Sequence, residues 1–145
     1  MIKDEDIKIV DEAIHELIYK MLNSNFMNEY SDKTKGISMM DFRVLRVIDE
    51  NPGKQIKDML SILKIPNSTL TSVINRLEKR GIVRRVISLE DRRSFNIEIT
   101  DIGKDIEKEH MKFDYEVAKR YLEATDTEEE KRFLIKFLKK LANLV

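Results

Sequence analysis

The chain has 145 residues, 41% hydrophobic and 37% charged, and its 27 basic and 27 acidic side chains give a formal net charge of zero. That length supports a single domain that buries about two-thirds of its unfolded surface. The absence of Cys excludes a disulfide framework, a cysteine-ligated zinc site and a cysteine peroxide sensor. No leader pattern and no apolar run near membrane-span length occurs, so a cytoplasmic protein without a membrane partner is expected.

From Asp4 to about Met27 a long helix is predicted. Ile7, Val10, Ile14, Leu17 and Met21 recur at 3-4-3-4 spacing, a seam suited to another helix. Ile18 and Leu22 widen that face, and an intrachain core and an interface between chains both fit it. Asn28 to Gly36 is polar and reads as a connector.

Ser38 and Asp41 form a capping-box-like start for a helix over Met39–Glu50. Phe42, Leu45 and Ile48 turn inward there, with Val44 and Val47 beside them. Asn51-Pro52-Gly53 stops it. Lys54 to Lys64 is the next helix, with Ile56, Met59, Leu60 and Leu63 on its apolar side and Ile65 anchoring the turn that follows.

The segment from Pro66 carries the most information. A rotation of 100° per residue about Leu70 places Val73, Ile74 and Leu77 on the same side. Ser68, Ser72, Asn75 and Lys79 lie opposite, flanked by Thr71 and Arg76. Asn67 or Ser68 is expected as N-cap, and Gly81 as the stop. Short hydroxyls allow close approach to a major groove, and an Asn can pair with adenine. An ordinary solvated face fits the same pattern.

Val83 to Ser88 and Phe95 to Thr100 are β-prone runs. Phe95, Ile97 and Ile99 alternate with Asn96, Glu98 and Thr100, as in a half-buried strand. The joining turn holds Asp91, Arg92 and Arg93. Arginines on a hairpin tip suit a narrow minor groove, and Asp91 is expected to orient one guanidinium through a charge-assisted pair. A solvated tip is the alternative.

Asp101 to about Ala124 is a second long helix with the stripe Ile102, Ile106, His110, Phe113, Val117 and Tyr121. Thr127 and Glu130 predict a capping box for a last helix. Leu134, Phe137, Leu138, Leu141 and Val145 lie on one side of that helix, with Phe133 and Ile135 nearby. That arc is too broad for a solitary surface helix, so the terminal helices are expected to interleave with those of a second chain.

Charge distribution supports a nucleic-acid face despite the neutral total. From Lys54 to Arg93 there are ten basic and four acidic residues, a basic middle between acidic ends. No catalytic or metal chemistry is assembled. His15 and His110 lie on separate helices, and no nucleophile elbow or phosphate-binding Gly loop occurs. Neither a metal nor a cofactor is expected.

The run S-T-L-T-S-V-I-N-R-L-E-K-R-G-I-V-R-R from Ser68, then E-D-R-R from Glu90, then I-E-I-T-D-I-G ending at Gly103 resembles the MarR family of bacterial transcriptional regulators. The resemblance covers Ile37 to about Gly103. Two positions depart from the pattern: Leu60 stands where a small Ala is usual, and Pro66-Asn67 where Asp-Pro is frequent. The resemblance implies a mainly α fold with a small β-wing, in a single domain over 1–145. A winged helix-turn-helix lobe would span about 37–100, and a helical dimerisation region about 4–27 and 101–145.

It further implies a homodimer bound to a pseudopalindromic operator in double-stranded DNA. Repression would be relieved by a small, frequently aromatic anion bound between the lobe and the dimer base. Groove contacts would fall to Ser68, Thr69, Thr71, Ser72, Asn75, Arg76 and Lys79, with Thr69 turned partly toward the protein. The wing would contribute Asp91, Arg92 and Arg93. Tyr19, Tyr30 and Phe42 are candidates for the effector pocket or for plain packing. A winged-helix module that docks an acidic protein is the alternative class, and no residue constellation favours an enzyme.

Overall fold

The structure is a computed structural model that describes residues 1–23 and 31–144. Among them are six α-helices and one two-stranded sheet. The chain divides into two compact units, Met1–Gly36 and Ile37–Val145.

The first unit contains α1, Asp4–Asn23, which opens with Asp4, Glu5 and Asp6 and carries Lys20 in its last turn. Both charge placements favour the helix dipole. The Ile7, Val10, Ile14 and Leu17 seam is exposed in the single chain. The expected continuation to Met27, the side chains of Met21 and Leu22, and residues 28–30 of the connector lie outside the described residues. Asp32–Thr34 is a 3-10 turn, with Ser31 accepting from the Lys33 N–H at 3.2 Å.

The second unit holds α2 (Met39–Glu50), α3 (Ile56–Leu63), α4 (Asn67–Lys79), β1 (Val83–Ile87), β2 (Phe95–Ile99), α5 (Asp101–Glu123) and α6 (Glu128–Ala142). Its core is aliphatic. Phe42, Val44, Leu45 and Ile48 of α2 are buried with Met59 and Leu63 of α3 and with Leu70, Val73, Ile74 and Leu77 of α4; Ile82, Ile97 and Ile106 complete it. Leu60 is accommodated half-buried. The strands pair antiparallel, with Val83 opposite Ile99, Arg85 opposite Ile97 and Ile87 opposite Phe95. The pleat puts these six on one face. Ile97 is buried, but Phe95 and Ile87 are about half exposed or more, so the apolar alternation outruns the core it packs on.

Helix termini follow the sequence with three differences. Ser38 and Asp41 make the full capping box, each side chain accepting from the other's backbone N–H. The N-cap of α4 is Pro66, without a side-chain cap. Neither Asn67 nor Ser68 caps it, because the extended ψ of 144° falls at Pro66 and both residues are already helical. Thr127 caps α6, but Glu130 reaches back to the Asp126 N–H at 2.7 Å rather than to Thr127. The third helix starts at Ile56 rather than Lys54, and the Gln55 N–H donates to Asp58 at 3.1 Å.

Gly81 stops α4 with φ +70°. The Gly81 N–H donates to the Glu78 carbonyl and the Ile82 N–H to the Leu77 carbonyl, both at 2.9 Å, the hydrogen-bond pair of a Schellman motif. Thr100 locks this end to the next helix. Its hydroxyl donates to the Gly81 carbonyl at 2.6 Å and accepts from the Gly103 N–H at 3.1 Å, and its N–H donates to the Ile82 carbonyl at 3.0 Å. A Cβ on Gly103 would stand 2.2 Å from the Ile82 carbonyl oxygen and 2.7 Å from the Ile99 side chain. Gly103→Ala should therefore cost about 1–3 kcal/mol. Thermal melting checks this; an unchanged midpoint would mean that the helix and strand can separate freely.

Candidate nucleic-acid interface

The outer side of α4 is polar because its inner side is committed to the core. Leu70, Val73, Ile74 and Leu77 are all buried. Ser68, Thr71, Ser72, Asn75, Arg76 and Lys79 together line one open surface depression. Thr69 is half-buried and outside that set, in keeping with its partial turn toward the protein. Six of the seven helix residues singled out from sequence are thus brought together.

Two of them are restrained. Arg76 reaches across to α2, donating to Asp41 Oδ1 at 2.5 Å and to Ser72 Oγ at 3.3 Å. Burial pushes the Asp41 carboxyl up, but hydrogen bonds from Arg76 and Ser38 outweigh it and hold the pKa below the ordinary value. Asn75 is engaged through its carbonyl oxygen, which accepts from Arg85 Nη2 at 2.6 Å. Arg85 is itself paired with Glu78. Lys79 has no carboxylate partner among the described residues.

The wing tip is a hydrogen-bonded turn. The buried Ser88 hydroxyl accepts from the Glu90 and Asp91 N–H groups at 3.3 and 3.4 Å. Asp91 does not hold a guanidinium. Its carboxylate accepts from the Arg93 backbone N–H at 2.9 Å, a short reach that competes with the longer one to the side chain. Arg92 and Arg93 are exposed, and neither has a carboxylate partner among the described residues. Gln55 steadies the hairpin by donating to Ser94 Oγ at 3.2 Å and by bridging to Asn96.

A charged cluster between α2 and α5 has no counterpart in the sequence pattern. Arg46 donates to Glu107 Oε1 at 2.8 Å, to Asp114 Oδ2 at 2.9 Å and to His110 Nδ1 at 3.3 Å. A guanidinium only donates, so Nδ1 accepts and the proton of the neutral imidazole sits on Nε2. That ring is buried and stacked on Phe42, with centroids 3.8 Å apart. Phe42 packs in the core and also lines the neighbouring cavity, Tyr19 is exposed, and Tyr30 lies outside the described residues. A cavity of about 420 Å³, lined by Arg43, Val47, Asp114 and residues around the Arg46–His110 pair, opens beside the cluster.

Together these elements are a helix-turn-helix with a β-wing. The MarR family profile matches residues 37–95. The chain is 32% identical to the uncharacterized HTH-type transcriptional regulator YfiV of Bacillus subtilis, over 82% of its own length and 75% of that protein. It is 30% identical to the uncharacterized HTH-type regulator YpoP of the same organism, over 66% of itself and 65% of that protein, just under two-thirds of YpoP's length. The fold matches the crystal structure of Streptococcus pneumoniae FabT in complex with DNA with a TM-score of 0.82, 24% identity and 96% coverage of both chains. The chain belongs to the MarR family, a family of transcriptional regulators rather than enzymes. No described helix is long and apolar enough to cross a membrane.

Burial pushes the His110 pKa down; Asp114 opposes this and Arg46 adds to it. The unfolded chain then binds the proton that the folded chain refuses, so stability falls as pH drops below the ordinary imidazole value of 6.5. Burial raises the Glu107 pKa despite Arg46, which gives the opposite slope above the ordinary carboxyl range. His110→Phe keeps the stack on Phe42 and should flatten the loss on acidification below pH 6.5. Denaturant midpoints across that range check this; an unaltered slope would exclude His110 as its source.

Proposed function

We propose that the protein is a sequence-specific regulator that binds a pseudopalindromic operator as a homodimer. It represses until a small anionic or aromatic effector binds. The observation that carries this reading is the continuous exposed surface of Ser68, Thr71, Ser72, Asn75, Arg76 and Lys79 on one side of α4. Hydroxyl, amide and cationic groups in that arrangement suit phosphates and base edges. Thr69 contributes at the margin. Arg92 and Arg93, unpaired with carboxylates among the described residues, enter the flanking minor groove, while Asp91 shapes the turn that presents them. Binding of genomic DNA places the protein in the cytoplasm.

Homodimerisation is supported by apolar side chains that the single chain leaves in water. Ile7, Val10 and Ile14 of α1 are exposed, as are Phe133, Phe137 and Leu138 of α6. Residues about 4–27 and 101–145 form the dimer base, and 37–100 the DNA-binding lobe. The cavity beside Arg43 and Arg46, which Glu50 and Asp114 also line, offers space for an effector. Two recognition helices must then match half-sites about one helical turn apart, and an effector acts by changing that spacing. Light scattering at micromolar concentration should give twice the chain mass; a monomer would remove the dimer.

A salt titration against DNA upstream of the protein's own gene, beside an unrelated duplex, tests the function. Tight, site-preferring binding of two chains is expected. Arg93→Ala should weaken it and lower the salt slope by about one unit. Equal weak binding to both duplexes, unaffected by Arg93→Ala, would favour a module that docks an acidic protein.

A further inference from the structure

A guanidinium carries only donors, so the side-chain atom of Asn75 facing Arg85 at 2.6 Å must be its oxygen. The orientation of the carboxamide is thereby fixed by chemistry. Arg85 is well placed to impose it. The pleat puts Arg85 between Val83 and Ile87 on the face that includes the buried Ile97. From there its side chain extends along α4 and is gripped by Glu78, which pairs with the guanidinium and accepts from the Arg85 backbone N–H at 3.3 Å. The grip spans the end of the helix and the first strand of the wing. Asn75 itself is exposed on the outer surface of α4.

Pairing of an Asn with adenine needs both functions of the amide, the oxygen accepting from N6 and the nitrogen donating to N7. Here the oxygen is turned to the wing by a charged donor, and the NH₂ group is left to face outward. Guanine offers two acceptors, O6 and N7, to such a donor, whereas adenine presents its own N6 donor beside N7. We propose that Arg85 is a positioning residue that holds the Asn75 oxygen toward the wing and leaves its NH₂ group to meet the base, so that the recognition helix selects guanine over adenine at the base facing Asn75. This rests on the DNA-binding reading above.

Selection from a randomised duplex pool by the full-length protein tests it. The wild type should enrich guanine at one position in each half-site, and Asn75→Ala should erase that preference. Arg85→Met frees the carboxamide and should move the preference at this position toward adenine by about tenfold. On the Asn75→Ala background it should move nothing. Glu78→Gln, which loosens Arg85 without removing it, should give a smaller shift in the same direction and serves if Arg85→Met fails to fold. Affinity lost uniformly over all sequences, with an unchanged motif, would make Arg85 a phosphate contact and overturn the proposal. So would an adenine preference in the wild type that depends on Asn75. A wild-type protein that enriches no sequence would instead overturn the DNA-binding reading, and this proposal with it.

Discussion

The fold turns on the contact between two glycines and a threonine. Gly81 reverses the chain after α4, and Gly103 brings α5 against the Ile82 carbonyl at a distance that admits no side chain. Thr100 bonds to both segments. The end of α4, the base of the wing and the start of α5 therefore meet in one place, held by the Thr100 hydroxyl and by close backbone contacts. Backbone contacts of this kind cannot relax through a rotamer change. The angle between helix and wing is thus set in part by contacts that lie away from the outer surface of α4.

Charge is arranged in two populations with different work. Arg46, Arg76, Arg84 and Arg85 are each paired with a carboxylate. The carboxyls of Asp41 and Glu107 are nearly inaccessible, so loss of either arginine leaves a buried charge without its ion-pair partner. Lys79, Arg92 and Arg93 have no such pairing among the described residues and stand at the surface. A neutral chain thus presents a locally basic face, because several of its arginines are held in ion pairs while Lys79, Arg92 and Arg93 stand unpaired with carboxylates among the described residues at α4 and the wing. Counting charges along the sequence shows the excess but not this division.

Much of the arrangement was legible in the sequence because it is local. The helical period about Leu70 separated the buried from the exposed side of α4, and Gly81 and the Ser38–Asp41 box marked ends through contacts within four residues. What escaped joins distant positions. Arg76 meets Asp41 across 35 residues, and Arg46 meets Glu107, His110 and Asp114 across 61 to 68. No periodicity encodes such pairs. His110 looked like one more member of an apolar stripe, since its spacing fits the stripe and its partners lie on another helix. The errors at Pro66 and Asp91 are of another kind. In both, the right residue type was present, but a competing local geometry won: an extended ψ at the proline in one, and a nearer backbone N–H in the other.

Helix α2 connects these features. At its first turn Asp41 holds Arg76 of the recognition helix, and five residues later Arg46 holds Glu107 and Asp114 of α5. Its core residues Phe42, Val44 and Leu45 lie between and alongside the two attachments, all buried. Displacement of α5 along α2 would separate Arg46 from two carboxylates and leave Glu107, whose second oxygen already lacks a hydrogen-bond partner, without its main compensation. Such a shift is costly by small steps and favours discrete alternatives over gradual sliding. Because α2 carries both attachments, it joins α5 to α4 through Arg46 and Arg76 as well as through the core residues packed between them.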